Sequence, residues 1–316
     1  MNGKKFLFLT LYKILSHNFC LDIKNVLEKL SIKEYPVGMG GCHSLGINYD
    51  CCEYNLTIFD GKKQEESVLE FDGVFYHIYH GTLQETSPDI LLQYNNMKIL
   101  FDEQWDLQTL LSKIKDKKEQ IFNAYVKNCL VDATMCITKT KNGLDSDPYA
   151  STWLKCAAFF LADAISVINL QCPSPTHMLK ILRKFKKNKI NECISTIAES
   201  IGIERATPTL LSRMSKSTIG FSDMIESNSH SKIISQKYQY MISNSLFADC
   251  YFFLGYINRN NFIKIKDLHR KPEFIHILKT AFDLEGDSIK IESQANKLHN
   301  TATFLLSIPN DDIKNF

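Results

Sequence analysis

The chain has 316 residues, 44% hydrophobic and 23% charged, with 37 Lys and Arg against 35 Asp and Glu and ten cysteines. That length and apolar content suit two globular domains, while balanced charge with only 13 Gly and 8 Pro excludes a disordered or collagen-like chain. The charge is unevenly placed: residues 1–150 hold 16 Lys, no Arg and 20 acids, net −4, and the other 166 hold 21 Lys and Arg and 15 acids, net +6.

In chain order, Lys4 and Lys5 precede a short apolar run that Lys13 interrupts, with no small-residue cleavage site after it. It reads as the start of a helix and not as a leader. Leu15, Phe19, Ile23, Val26, Leu27 and Leu30 then recur at helical spacing. A Gly-rich stretch after Pro36 leads to a β-branched and aromatic strand at 54–59 that stops at Asp60-Gly61. Runs at 67–71 and 74–79 flank the turn pair Asp72-Gly73 as a hairpin.

From Leu107 the apolar period becomes 3.6 and predicts a long helix through Leu130, its stripe interrupted at Lys117-Lys118. The segment 141–148 (KNGLDSDP) reads as a linker. Helices are expected near 149–170, 174–187, 190–200, 231–257, 272–283 and 288–306, with Ser174-Pro175 and Lys271-Pro272 as start signals. The fold class is therefore α+β: a small α/β domain over 1–105, a linking helix and linker over 106–147, and an α-helical bundle over 148–316. No stretch reaches the ~18–20 uninterrupted apolar residues of a membrane span, since Asp163 breaks 156–170 and Asp249 breaks 246–257. Scattered cysteines without a CxxC pair fit a reduced, cytoplasmic setting.

The chemistry concentrates in residues 41–56, GCHSLGINYDCCEYNL. A Gly-rich turn lets backbone N–H groups approach phosphate oxygens, and alternate polar residues at the start of the following strand share a face and can hold a hard cation such as Mg²⁺. Two such ions would activate a hydroxyl and stabilise departing pyrophosphate.

This arrangement resembles the nucleotidyltransferase-fold superfamily. Gly41 and Gly46 stand where the family has its two turn glycines, and Glu53-Tyr54-Asn55-Leu56 stands where it has acid-x-acid-apolar. The hairpin strand with His77 lies where the third carboxylate belongs, and KILFD at 98–102 is similar to the segment that closes the domain. The resemblance covers roughly residues 15–110. It implies a magnesium–nucleoside triphosphate complex in the interdomain cleft, with nucleoside monophosphate passing to a hydroxyl on a small molecule, an RNA end or a protein. Gly41, Cys42 and Gly46 would cradle phosphate, Glu53 with Asn55 would carry the chemistry, Glu53, Asn55 and His77 would hold metal, and Lys155 or Arg183 would neutralise phosphate.

The sequence also departs from that pattern. The family's serine is Cys42, its second acid is the uncharged Asn55, and the third position offers only His77, which suits softer metals than Mg²⁺. Asp50, three residues from Glu53, falls on the opposite face of an extended chain unless a bulge at Cys51-Cys52 brings it round. The alternative function is accordingly a catalytically inactive nucleotidyltransferase-fold protein that binds or regulates.

Other readings of the same residues are weaker. His43-Ser44-Leu45-Gly46 lacks the first glycine of a hydrolase nucleophile elbow. Cys42, His43, Cys51 and Cys52 lack zinc-ligand spacing and read as free thiols in a packed turn. The basic run 180–189 reads as a solvated helix end or a phosphate contact, and 251–256 as bundle core.

Overall fold

The computed structural model describes residues 34–62, 66–225, 230–265 and 271–308. The helix expected at 15–30 lies outside them.

A five-stranded mixed sheet forms from β1 (Val37–Gly40), β2 (Tyr54–Ile58), β3 (Ser67–Phe71), β4 (Val74–His80) and β5 (Lys98–Phe101), in the order β3-β4-β2-β1-β5. β2 and β4 run parallel, and the other pairs are antiparallel. The hairpin joining β3 to β4 turns at Asp72 and Gly73, both at positive φ, the twist that suits a two-residue connection. Val37, Met39, Leu56, Ile58, Tyr76 and Ile78 form the sheet's own apolar cluster.

Twelve α-helices accompany the sheet among the described residues, beginning with the short α1 (Gly41–Leu45) and α2 (Pro88–Tyr94). The long helix expected from Leu107 is two, α3 (Asp106–Asp116) and α4 (Lys118–Gly143), parting where the lysine pair interrupts the stripe. Asp102 caps α3 by accepting from the N–H of Asp106 at 3.1 Å and of Gln108 at 2.8 Å.

The segment read as a linker is a tight reversal into α5 (Ala150–Ile168). In it Asp147 accepts from Tyr149 N–H at 2.8 Å and Trp153 Nε1 at 3.1 Å. α5 is long and apolar enough to cross a membrane, but 94% of its apolar window is buried inside the protein.

The remaining helices are α6 (Met178–Leu182), α7 (Lys189–Ile201), α8 (Pro208–Ile225), α9 (His230–Ser243), α10 (Phe247–Ile263), α11 (Glu273–Ala281) and α12 (Ser288–Leu306). Three depart from expectation. The helix read at 174–187 shrinks to α6, because Ser174 opens a turn, accepting from His177 N–H at 2.9 Å, and Asn188 caps α7 instead of continuing the basic run. The helix read at 231–257 breaks at Ser245 (φ 56°), a position carrying neither Gly nor Pro to announce it. α8, rich in Ser and Thr, was not expected at all. Its apolar side is nonetheless buried at Leu211, Met214 and Phe221.

Candidate functional site

The turn after β1 is built by its two glycines. Gly41 leaves the strand at φ +70°, and a Cβ there would stand 2.4 Å from Asn55 Nδ2. Only glycine meets both the left-handed backbone and this approach. Gly46 ends α1 at φ 69° with open space around it, so it is required by conformation alone. Asp50 is exposed in the loop that follows.

Glu53 immediately precedes β2, and Asn55 is the second residue of that strand. Asn55 pairs in register with His77 of β4, which puts these two members of the expected trio on one face of the sheet. The trio's members are already engaged. Tyr79 Oη donates to Asn55 Oδ1 at 3.4 Å and lies 2.8 Å from His77 Nδ1, while His77 Nε2 meets Glu66 Oε2 at 2.9 Å.

The Glu53 carboxylate pairs with Lys237 of α9, Nζ to Oε2 2.6 Å, both side chains nearly buried. Burial works against the Lys237 ammonium, but Glu53 and the sulfur of Cys52 outweigh it and hold the lysine above its ordinary value. This donor set does not fit Mg²⁺. The single acid of the trio is neutralised by an ammonium, Asn55 adds no charge, and His77 is a softer donor bound to Glu66 and Tyr79.

Behind the turn the cysteines collect. Cys42, Cys51 and Cys52 form a buried cluster, joined by His177 from the approach to α6, with Nε2 3.4 Å from Cys52 Sγ. Cys42 thus turns its side chain inward, away from the cradle expected of its backbone. Donation to the Cys52 sulfur, with burial, pushes the Cys42 and Cys51 thiols well above the ordinary value; those same donors pull Cys52 far below it, against its burial and with help from His177 and Lys237. His43 is not part of this group. Its ring stacks on Tyr54 at 3.8 Å and its Nε2 meets the Cys52 carbonyl at 2.9 Å.

The two expected phosphate contacts lie elsewhere. Lys155 is buried in the helical bundle, donating to the Ile201 carbonyl and to Tyr251 Oη. Burial, with Arg205 nearby, pushes it down to about 7. It lines a cleft of about 290 Å³ with Glu199, Arg205, Glu285 and Lys290, and none of these belongs to the Glu53–Asn55–His77 group. Arg183 is half exposed and pairs with Asp249 at 2.8 Å. In the same basic run, the Lys180 ammonium lies 4.8 Å from the Tyr49 ring centre.

Sequence reasoning missed Lys237, His177 and Tyr79. The first two sit in helical-domain segments without motif, and only tertiary packing carries them to the turn. Tyr79 could have been found, since it lies two residues from His77 on the same strand face.

No family model matches the chain, and no curated protein matches its sequence. Among solved structures, a nucleotidyltransferase-like protein from Exiguobacterium sibiricum aligns over 84% of this chain and 90% of that chain, with 9% identity and a TM-score of 0.35. A likeness at that level carries no activity over to this chain.

Proposed function

We propose that the chain is a nucleotidyltransferase-like protein that acts by binding or regulation and does not carry out magnesium-dependent nucleotidyl transfer. What supports this reading is the Lys237–Glu53 pair at 2.6 Å. Two-metal catalysis needs an anionic cluster to concentrate dications. Here the one acid of the trio is compensated, and a Mg²⁺ about 4 Å from the buried ammonium would meet a repulsion of about 8 kcal/mol at an effective dielectric near 20. Transfer to a small molecule, an RNA end or a protein side chain is therefore not expected.

The test is calorimetric titration of ATP, and then of the other nucleoside triphosphates, with and without Mg²⁺, beside a pyrophosphate-release assay over candidate acceptors. The expected result is no magnesium-dependent gain in affinity and no pyrophosphate above the protein-free rate. Pyrophosphate release that Glu53→Gln abolishes would overturn the reading. A second arm rebuilds the acids: Asn55→Asp with His77→Asp gains little Mg²⁺ affinity while Lys237 is present, and adding Lys237→Gln raises it.

A further inference from the structure

We infer that Cys42, Cys52 and His177 form a binding site for a thiophilic divalent cation, zinc first, which ties the turn after β1 to the helical bundle. The two sulfurs and the imidazole nitrogen all lie within 4.8 Å of one another. A tetrahedral zinc with thiolate and imidazole ligands at about 2.3 and 2.0 Å sets those atoms about 3.6–3.8 Å apart. The Cys52 Sγ to His177 Nε2 distance, 3.4 Å, already approximates one edge of that tetrahedron. Only modest closure separates the remaining atoms from it.

The surroundings of His177 point the same way. The residue is fully buried, its Nδ1 has no hydrogen-bond partner, and its Nε2 faces only the Cys52 sulfur, a weak partner for an imidazole taken out of water. A metal bond at Nε2 would replace that weak sulfur contact with a strong one. The ring is held by the Tyr49 ring at 4.4 Å, and the backbone by the N–H of His177 on the Ser174 carbonyl at 2.9 Å. Tyr49 and the three cysteines belong to the loop side, whereas His177 precedes α6, so the site spans a long-range contact that a metal can clamp.

Charge is consistent as well. Two thiolates and the Glu53 carboxylate carry three negative charges; a divalent zinc and the Lys237 ammonium carry three positive ones. The buried pocket is neutral when loaded. Three protein ligands leave a fourth position for water or another small ligand. His43, the imidazole nearest in sequence, is committed to Tyr54 and the Cys52 carbonyl.

The test uses the full chain, produced in zinc-supplemented medium and purified without chelator, with metal measured by plasma mass spectrometry against protein concentration. About one zinc per chain is expected, falling to near zero in Cys52→Ser and in His177→Ala and unchanged in His43→Ala. Because a variant that fails to fold would also lose metal, circular dichroism confirms the fold of each variant, and a chelator is expected to lower the urea midpoint of the wild type while leaving that of a folded His177→Ala unmoved. Cobalt reconstitution of the wild type is expected to show a thiolate-to-cobalt charge-transfer band. A wild type free of zinc and without that band, zinc content unaffected by Cys52→Ser, or a Cys42–Cys52 disulfide in the protein as isolated would each overturn the assignment.

Discussion

Lys237 Nζ stands 2.6 Å from Glu53 Oε2, so the cation beside the conspicuous acid of the glycine-rich turn is a side chain from α9, some 180 residues away in sequence. The pair both closes the sheet against the helices and neutralises the carboxylate on which metal chemistry would depend.

Removing one partner leaves the other charge buried. Glu53→Gln is expected to cost about 3–5 kcal/mol in urea unfolding, and the double variant Glu53→Gln, Lys237→Met to recover most of that loss. The folded lysine titrates above its unfolded value of 10.5, so the pair's contribution is complete at neutral pH and lost only as pH rises through the raised value. Unfolding midpoints of the wild type and the double variant measured from pH 7 upward check the sign.

The two turn glycines are not equivalent. Gly41→Ala adds a clash with Asn55 to an unfavourable φ and is expected to cost about 3 kcal/mol, whereas Gly46→Ala meets nothing and costs about 1 kcal/mol. Chemical denaturation of the two variants side by side decides it; equal losses would mean that the Asn55 approach is unimportant.

Inside the bundle, Arg259 Nη1 pairs with Asp163 Oδ2 at 2.9 Å, and Tyr256 Oη donates to the same carboxylate at 2.8 Å. Asp163→Asn leaves a buried guanidinium uncompensated and is expected to lower stability by about 3–5 kcal/mol. Tyr256→Phe removes a single donor to a charged acceptor and should lower it by about 1.5–3 kcal/mol. The order of the two urea midpoints tests this arrangement.

Lys155 gives a pH signature of the opposite sign to Lys237. Its folded value of about 7 lies below the unfolded 10.5, so between those values the unfolded chain binds a proton that the folded one does not. Its contribution to stability therefore rises with pH across that window and is flat below it. Comparing unfolding free energies at pH 7 and pH 9, Lys155→Met is expected to show a smaller rise than the wild type.

Much was legible from local pattern. The strand ending at Asp60-Gly61, the hairpin at Asp72-Gly73 and the helix starting after Pro272 follow from propensities and turn residues that act over a few positions. The same locality brought Asn55 and His77 to one side of one sheet, because the pairing of β2 with β4 places them side by side. The break at Ser245 and the shortening of the 174–187 helix escaped, since no Gly or Pro marks the first and a turn at Ser174 with a cap at Asn188 bounds the second.

What the chain's order of residues determined by itself is thus the strands and turns of the sheet, most of the helices, and the face that Asn55 shares with His77. What only the tertiary structure decided is the character of that face. Lys237 reaches Glu53 and His177 reaches Cys52 across 184 and 125 positions of sequence. An ammonium or an imidazole brought from so far is selected by packing of the helices against the turn. No periodicity or spacing rule encodes such a meeting, because the interaction depends on where two separately built surfaces touch.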